Sequence, residues 1–221
     1  MHAHQPSGGR VGRFIARPLF WVVAVTILFG VPIGRSVFRR VPPPAPVLGS
    51  VPSFVMTDQQ SKPFGTDNLR GKVWVADFIF TSCQTMCPLL TQKLAQVVYR
   101  SRKLGPDVHF VSFSVDPERD TPAKLAEYAH SYHADPHKWS FLTGTLDSIQ
   151  KAVVEGFKIG VDKHKVTDDF WDIVHGEHMV VVDRQLRIRG YFDSSEAGLN
   201  DLLAVLGQVT NETASTAVAT P

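Results

Sequence analysis

A β-rich run, Val73-Trp-Val-Ala-Asp-Phe-Ile-Phe80, leads straight into Thr81-Ser-Cys83-Gln-Thr-Met-Cys87-Pro88. A continuous run of this kind reads as a strand buried on both faces, which belongs to a sheet covered by helices rather than to a half-solvated one. After Pro88, residues Leu89, Leu90, Leu94, Val97 and Val98 recur at helical spacing, and Gly105-Pro106 ends that helix. The chain therefore contains a strand–turn–helix unit with both of its cysteines at the turn. Further β-rich runs at 108–115, 141–142, 179–183 and 188–192 alternate with helical patterns at 120–133, 146–156 and 196–206, and a short strand is predicted at 54–58. The stretch before residue 179 reads as a loop of about 20 residues, longer than most connections in compact domains. This order predicts an α/β domain, a thioredoxin-like mixed central sheet with helices on both faces.

The cysteines carry the chemistry. A helix start stabilises a thiolate, and the thiolate is both the nucleophile and the metal ligand. Positions i and i+4 share one face of a helical turn, about 6 Å apart at their β-carbons, so the pair can grip one soft ion or close a disulfide. A disulfide closing so short a loop adds little entropic stabilisation, which makes a purely structural pair poorly motivated. Disulfide exchange on this architecture uses Cys-x-x-Cys opposed by a cis-proline. Here the spacing is Cys-x-x-x-Cys, and no proline occurs between His137 and Thr220. Where the proline would lie the chain reads Asp172-Ile-Val-His175-Gly-Glu-His178-Met. Two thiolates and one imidazole, Cys83, Cys87 and His175, form a soft three-coordinate set that suits copper, whereas zinc usually takes a fourth protein ligand. His178 is the rival to His175, its other reading being a solvent-facing residue at a strand start, and Glu177 adds a carboxylate without an assigned role. Met86 is expected to pack. Peroxiredoxin chemistry is disfavoured because it needs a threonine three residues before the cysteine, and Thr81 stands two before Cys83.

Composition excludes one function class. Hydrophobic residues make up 43%, charged residues 20%, and the net charge is +2, with no basic stripe interleaved with aromatics, so nucleic acid is not an expected partner. The N-terminus is different in kind. Residues 18–34 are 17 positions without a charge, the short end of what spans a bilayer. They are read as a single uncleaved transmembrane signal anchor after a short N-terminal segment at 1–17, the alternatives being a cleaved signal peptide or a buried helix. Three arginines precede the segment (Arg10, Arg13, Arg17) and three follow it (Arg35, Arg39, Arg40), so the positive-inside rule gives no orientation. Residues 35–53 form a proline-rich spacer, 54–208 the folded domain, and 209–221 a Thr/Ala/Ser-rich tail expected to be disordered.

Taken together these motifs resemble the Sco/SenC copper proteins of cytochrome c oxidase assembly. The resemblance covers residues 50–207 and rests on Asp77-Phe-Ile-Phe-Thr-Ser-Cys83-Gln-Thr-Met-Cys87-Pro88, on Ser112-Phe-Ser-Val-Asp116-Pro-Glu-Arg-Asp-Thr121-Pro122, and on His175 followed by Asp183-Arg and Arg189-Gly-Tyr191-Phe192. It implies a copper ion, Cu(I) or Cu(II), held by Cys83, Cys87 and His175. It also implies delivery of that copper to the CuA centre of cytochrome c oxidase subunit II, with a separate copper donor upstream as a further partner. The domain would then face the periplasm from a bacterial inner membrane, with residues 1–17 in the cytoplasm, the mitochondrial inner membrane being the alternative. The competing expectation is a dedicated thiol–disulfide reductase, with Cys83 and Cys87 as its redox pair, that keeps the oxidase cysteines reduced. The Asp116–Pro122 run is read as a strand-end turn followed by a helix cap.

Overall fold

The computed structural model describes residues 18–31, 43–83, 86–158, 162–165, 171–174 and 178–212, the last two strands before His178 by their backbone alone. The chain divides into two units, Met1–Pro43 and Pro44–Pro221.

In the first unit, helix α1 (Pro18–Val25) continues into a wider π-type turn over Thr26–Gly30. Its apolar side chains, Leu19, Trp21, Ile27 and Leu28 among them, are exposed. Among the described residues no helix is long and apolar enough to cross a membrane, and the remainder of the expected anchor, 32–34, lies outside them.

The second unit is built on an eight-stranded mixed sheet. In chain order its strands are β1 (Gly49–Ser50), β2 (Val55–Asp58), β3 (Pro63–Gly65), β4 (Val73–Ile79), β5 (Val108–Ser114), β6 (Trp139–Thr143), β9 (Met179–Val182) and β10 (Arg187–Phe192). Across the sheet they run β1-β10-β9-β4-β5-β6-β2-β3. Strands β4, β5 and β6 are parallel, with Ala76 opposite Val111 and Ser112 opposite Phe141. Strand β9 lies antiparallel on the other side of β4, with Ala76 opposite Val180. Every residue of β4 and β5 is buried, as the continuous β-rich runs require.

The helices are α2 (Thr66–Leu69), α3 (Met86–Ser101), α4 (Pro122–Ser131), α5 (Leu146–Ile149, continuing through a π-type segment to Gly156) and α6 (Glu196–Asn211). Alternation along β4 sends Val73, Val75 and Ile79 into one core with Leu90, Leu94 and Val97 of α3, Leu125 of α4, and Leu199, Leu202 and Leu206 of α6. Trp74, Ala76 and Phe78 enter the other core with Ile149, Val153 and Phe157. The predicted sheet with helices on both faces is therefore present.

Several boundaries differ from expectation. Helix α3 begins at Met86, two residues before Pro88, because a proline in the first turn removes only a backbone donor that has no intrahelical partner there. The expected loop before residue 179 contains an antiparallel hairpin, β7 (Asp162–Lys165) with β8 (Trp171–Val174), in which His164 stands opposite Asp172. The folded unit starts inside the expected spacer: Pro44 belongs to it, Ala45 is buried, and β1 pairs with β10 through Gly49 and Ile188. Helix α6 runs to Asn211, into the expected tail; residues 213–221 lie outside the described residues.

Candidate functional site

The cysteines sit where β4 ends and α3 begins, at the carboxyl end of the parallel strands, the usual place for a site on an open α/β sheet. A turn follows Phe80, closed by the Cys83 N–H on the Phe80 carbonyl at 3.2 Å. One helical turn later the Cys87 N–H donates to the Cys83 Sγ at 3.3 Å. Cys83 thus takes the position of a side-chain cap, its sulfur satisfying one of the unpaired amides of the first turn. Both residues carry thiols rather than a disulfide.

The two thiols are not equivalent. Cys87 is fully buried and Cys83 is 8% exposed. Its hydrogen bond with the Cys83 thiol, and then burial, hold the Cys87 thiol protonated far above the ordinary cysteine range, with smaller contributions from the Cys83 and Asp77 charges. Of the two, Cys83 keeps the small exposure. Helix α3 also exposes Met86 (38%) and Leu89 (43%) in its first turn. Met86 therefore does not pack as expected: the helix begins before it, and the buried stripe passes through Cys87, Leu90 and Thr91 instead.

Below the thiols lies a polar layer inside the core. Ser112 Oγ donates to the buried Asp77 carboxylate at 2.5 Å, and Trp139 Nε1 donates to Ser112 Oγ at 2.9 Å. Thr91 and Tyr128 share a hydrogen bond of 2.8 Å, and burial raises the Tyr128 phenol above its ordinary range.

His175 and Glu177 lie outside the described residues. What is described is the topology on either side of His175. Strand β8 ends at Val174, and β9 begins at Met179 antiparallel to β4. The amino end of β9 therefore lies at the same sheet end as the carboxyl end of β4, from which the cysteine turn departs. His178, just before β9, is exposed, matching its solvent-facing reading; it adds a minor share to the lowered pKa of Asp193, which Ser195 chiefly causes. Among the described residues no three His, Cys, Asp or Glu side chains converge as a metal site. His130, His133 and His137 are exposed.

The Asp116–Pro122 run forms the expected turn and cap: Thr121 Oγ1 accepts the Lys124 N–H at 3.4 Å, with Pro122 in the first turn of α4. It also does something the pattern did not announce, since the Asp120 carboxylate reaches across to Thr81. Tyr191, the other end of the recognised motif set, donates to the Phe157 carbonyl at 3.0 Å and ties β10 to the end of the α5 segment.

The SCO1/SenC family model matches residues 46–211. The chain belongs to the SCO1/SenC family. A SCO1/SenC family lipoprotein from Bacillus anthracis is 33% identical, aligning over 76% of this chain and 100% of its own with a TM-score of 0.69. Copper-bound ScoI from Bradyrhizobium japonicum is 28% identical over 71% of this chain and 99% of its own, with a TM-score of 0.61. BsSco, a member of the Sco family of cytochrome c oxidase assembly proteins in which a disulfide switch has been identified, is 28% identical over 76% and 98%, with a TM-score of 0.66. The thioredoxin-like fold and the Sco membership expected from the sequence both stand.

Proposed function

We propose that this Sco protein carries copper as cargo on Cys83, Cys87 and His175 and delivers it to the CuA centre of cytochrome c oxidase subunit II. The observation that carries the reading is the cysteine turn itself: two cysteine side chains four residues apart, joined by the 3.3 Å contact from the Cys87 N–H to the Cys83 Sγ, within the span that the family model matches. Two soft sulfurs fixed together at a sheet end are half-organised for Cu(I). The antiparallel entry of β9 at that sheet end supports His175 as the imidazole that completes the set. The copper-bound relative supports the metal. Residues 18–34 would anchor the domain to a bacterial inner membrane with the domain on the periplasmic side; their lack of charge and the lipoprotein description of the Bacillus anthracis relative support a membrane-bound protein.

A second reading keeps the same thiols but makes them a dedicated thiol–disulfide reductase. It is favoured by the disulfide switch of BsSco and by the unequal pair, with a partly reachable Cys83 and a buried, protonated Cys87.

The discriminating experiment is Cu(I) titration of the reduced protein, wild type against His175→Ala. Under the delivery reading the wild type binds one equivalent tightly, and the variant loses at least the roughly hundredfold in affinity that marks the upper end for loss of a partner that only supports a ligand. Equal affinities would remove His175 as a ligand and bring forward His178 or the reductase reading.

A further inference from the structure

The Asp116–Pro122 run contains one residue that neither a turn nor a helix cap requires. Asp120 is completely buried. Its carboxylate accepts the Thr81 N–H at 3.0 and 3.2 Å, the Thr81 hydroxyl at 2.5 Å, and the Ser114 hydroxyl at 2.6 Å. Thr81 is two residues before Cys83, inside the turn that carries the first thiol. Ser114 is the last residue of β5. The two loops leaving the carboxyl ends of neighbouring parallel strands are therefore joined through one side chain.

The rest of the local hydrogen bonding holds Asp120 to this task. The Asp120 and Arg119 amides both donate to the Asp116 carbonyl, at 2.9 and 3.2 Å, closing the turn behind the carboxylate. The Asp116 N–H donates to Ser114 Oγ at 3.2 Å, so that hydroxyl is oriented toward Asp120. The Val115 N–H continues the ladder to the Ile79 carbonyl at 2.9 Å, which fixes the two strand ends in register. Capping of α4 is done by Thr121, one residue on. Burying a carboxylate is costly unless it is fully hydrogen-bonded, and among the described residues the bonds that satisfy this one come from Thr81 and Ser114.

We infer that Asp120 is a positioning residue for the thiol pair: by clamping Thr81 to the β5 end it fixes the turn 81–83 and keeps Cys83 within reach of Cys87. This deepens the copper-delivery reading and rests on it for its biological meaning, but the clamp itself makes a prediction without metal. Closing the intramolecular disulfide and chelating one Cu(I) both need the two sulfurs held together, so both depend on the same pre-organisation.

The test uses the full-length reduced chain in four forms: wild type, Thr81→Val, Thr81→Ser and Asp120→Asn. Thr81→Val is nearly isosteric and removes one hydroxyl donor. Thr81→Ser restores it. Asp120→Asn turns an amide NH2 toward groups that are themselves donors. Two quantities are read beside thermal unfolding: Cu(I) affinity against bicinchoninate, and the equilibrium with glutathione disulfide, in which the protein dithiol and one glutathione disulfide become the protein disulfide and two glutathione thiols. Thr81→Val is expected to lose about tenfold in Cu(I) affinity and to move the disulfide equilibrium about threefold toward the dithiol, with Asp120→Asn larger in both and Thr81→Ser within about twofold of wild type. Thr81→Val and Asp120→Asn matching wild type in both readouts would overturn the inference and leave the run a turn and a cap. A wild type without tight Cu(I) binding, but with the disulfide shift intact, would remove the copper reading and uphold the clamp. If Asp120→Asn does not fold, the Val and Ser pair at position 81 decides alone.

Discussion

His109 shows how a single side chain can make the fold sensitive to acid. It lies on β5, 5% exposed, with its Nε2 at 3.0 Å from Ser140 Oγ and its ring stacked on Phe64 at 5.7 Å. Burial, and then the charges of Lys72 and Lys138, lower its pKa to about 4. In the unfolded chain an imidazole takes up a proton near pH 6.5, whereas the folded one resists until about 4. Between those values the unfolded state binds more protons, so stability falls as pH falls, by about 3 kcal/mol in total. Denaturant midpoints of wild type and His109→Gln, measured between about pH 7 and pH 4, check this. The deficit of the variant should be largest at neutral pH and shrink as wild type loses its advantage. A deficit independent of pH would mean that folding does not lower the pKa of His109. Nothing in the sequence marks this histidine, because its neighbours Phe64 and Ser140 come from other strands.

Among the elements, β10 joins the most distant parts of the chain. Its Arg189 is buried and donates to the Ala45 carbonyl at 2.6 Å, to Glu212 at 2.7 and 2.8 Å and to Asp183 at 3.1 Å. One guanidinium therefore holds the segment ahead of β1 and the residue just past α6 against the same edge of the sheet. This is why the folded unit begins earlier and ends later than composition suggested: a proline-rich segment reads as a spacer until a buried donor claims its carbonyls. Arg189→Met would leave Glu212 and the Ala45 carbonyl without this partner, while Asp183 keeps its 2.7 Å contact with Arg187. The expected cost is about 3 kcal/mol. Amide exchange should quicken at Leu48 and Val51, whose N–H groups bond Ile188 and Leu186. Unchanged exchange there would show that β1 pairing holds the segment unaided.

For the molecule as a whole, the proposed ligation by Cys83 and Cys87 would couple copper uptake to pH. Cys87 is held protonated by its contact with Cys83 and by burial, and thiolate ligation must expel that proton. Apparent Cu(I) affinity should therefore fall by about tenfold or more for each unit of pH lost between about pH 8 and pH 6. A flat profile would exclude Cys87 as a thiolate ligand. The expected direction is uptake favoured at higher pH and release favoured by acid or by oxidation of the pair.

The local pattern determined much of this protein. Residues 73–87 alone specify a buried strand, a turn and a helix with two thiols at the junction, because strand burial, helical periodicity and cysteine spacing are short-range properties. The α/β class follows from the same kind of reading carried along the rest of the chain, where β-rich runs alternate with helical patterns. Tertiary structure decided the rest. It gave Cys83 and Cys87 different burial, exposed Met86, paired 162–165 with 171–174, and drew Ala45 into the fold. It also turned Asp120 from part of a cap into a link to Thr81, a contact across 39 positions of sequence. Each of these depends on which strands become neighbours in the sheet, and strand order is settled by packing between distant segments that no local pattern encodes.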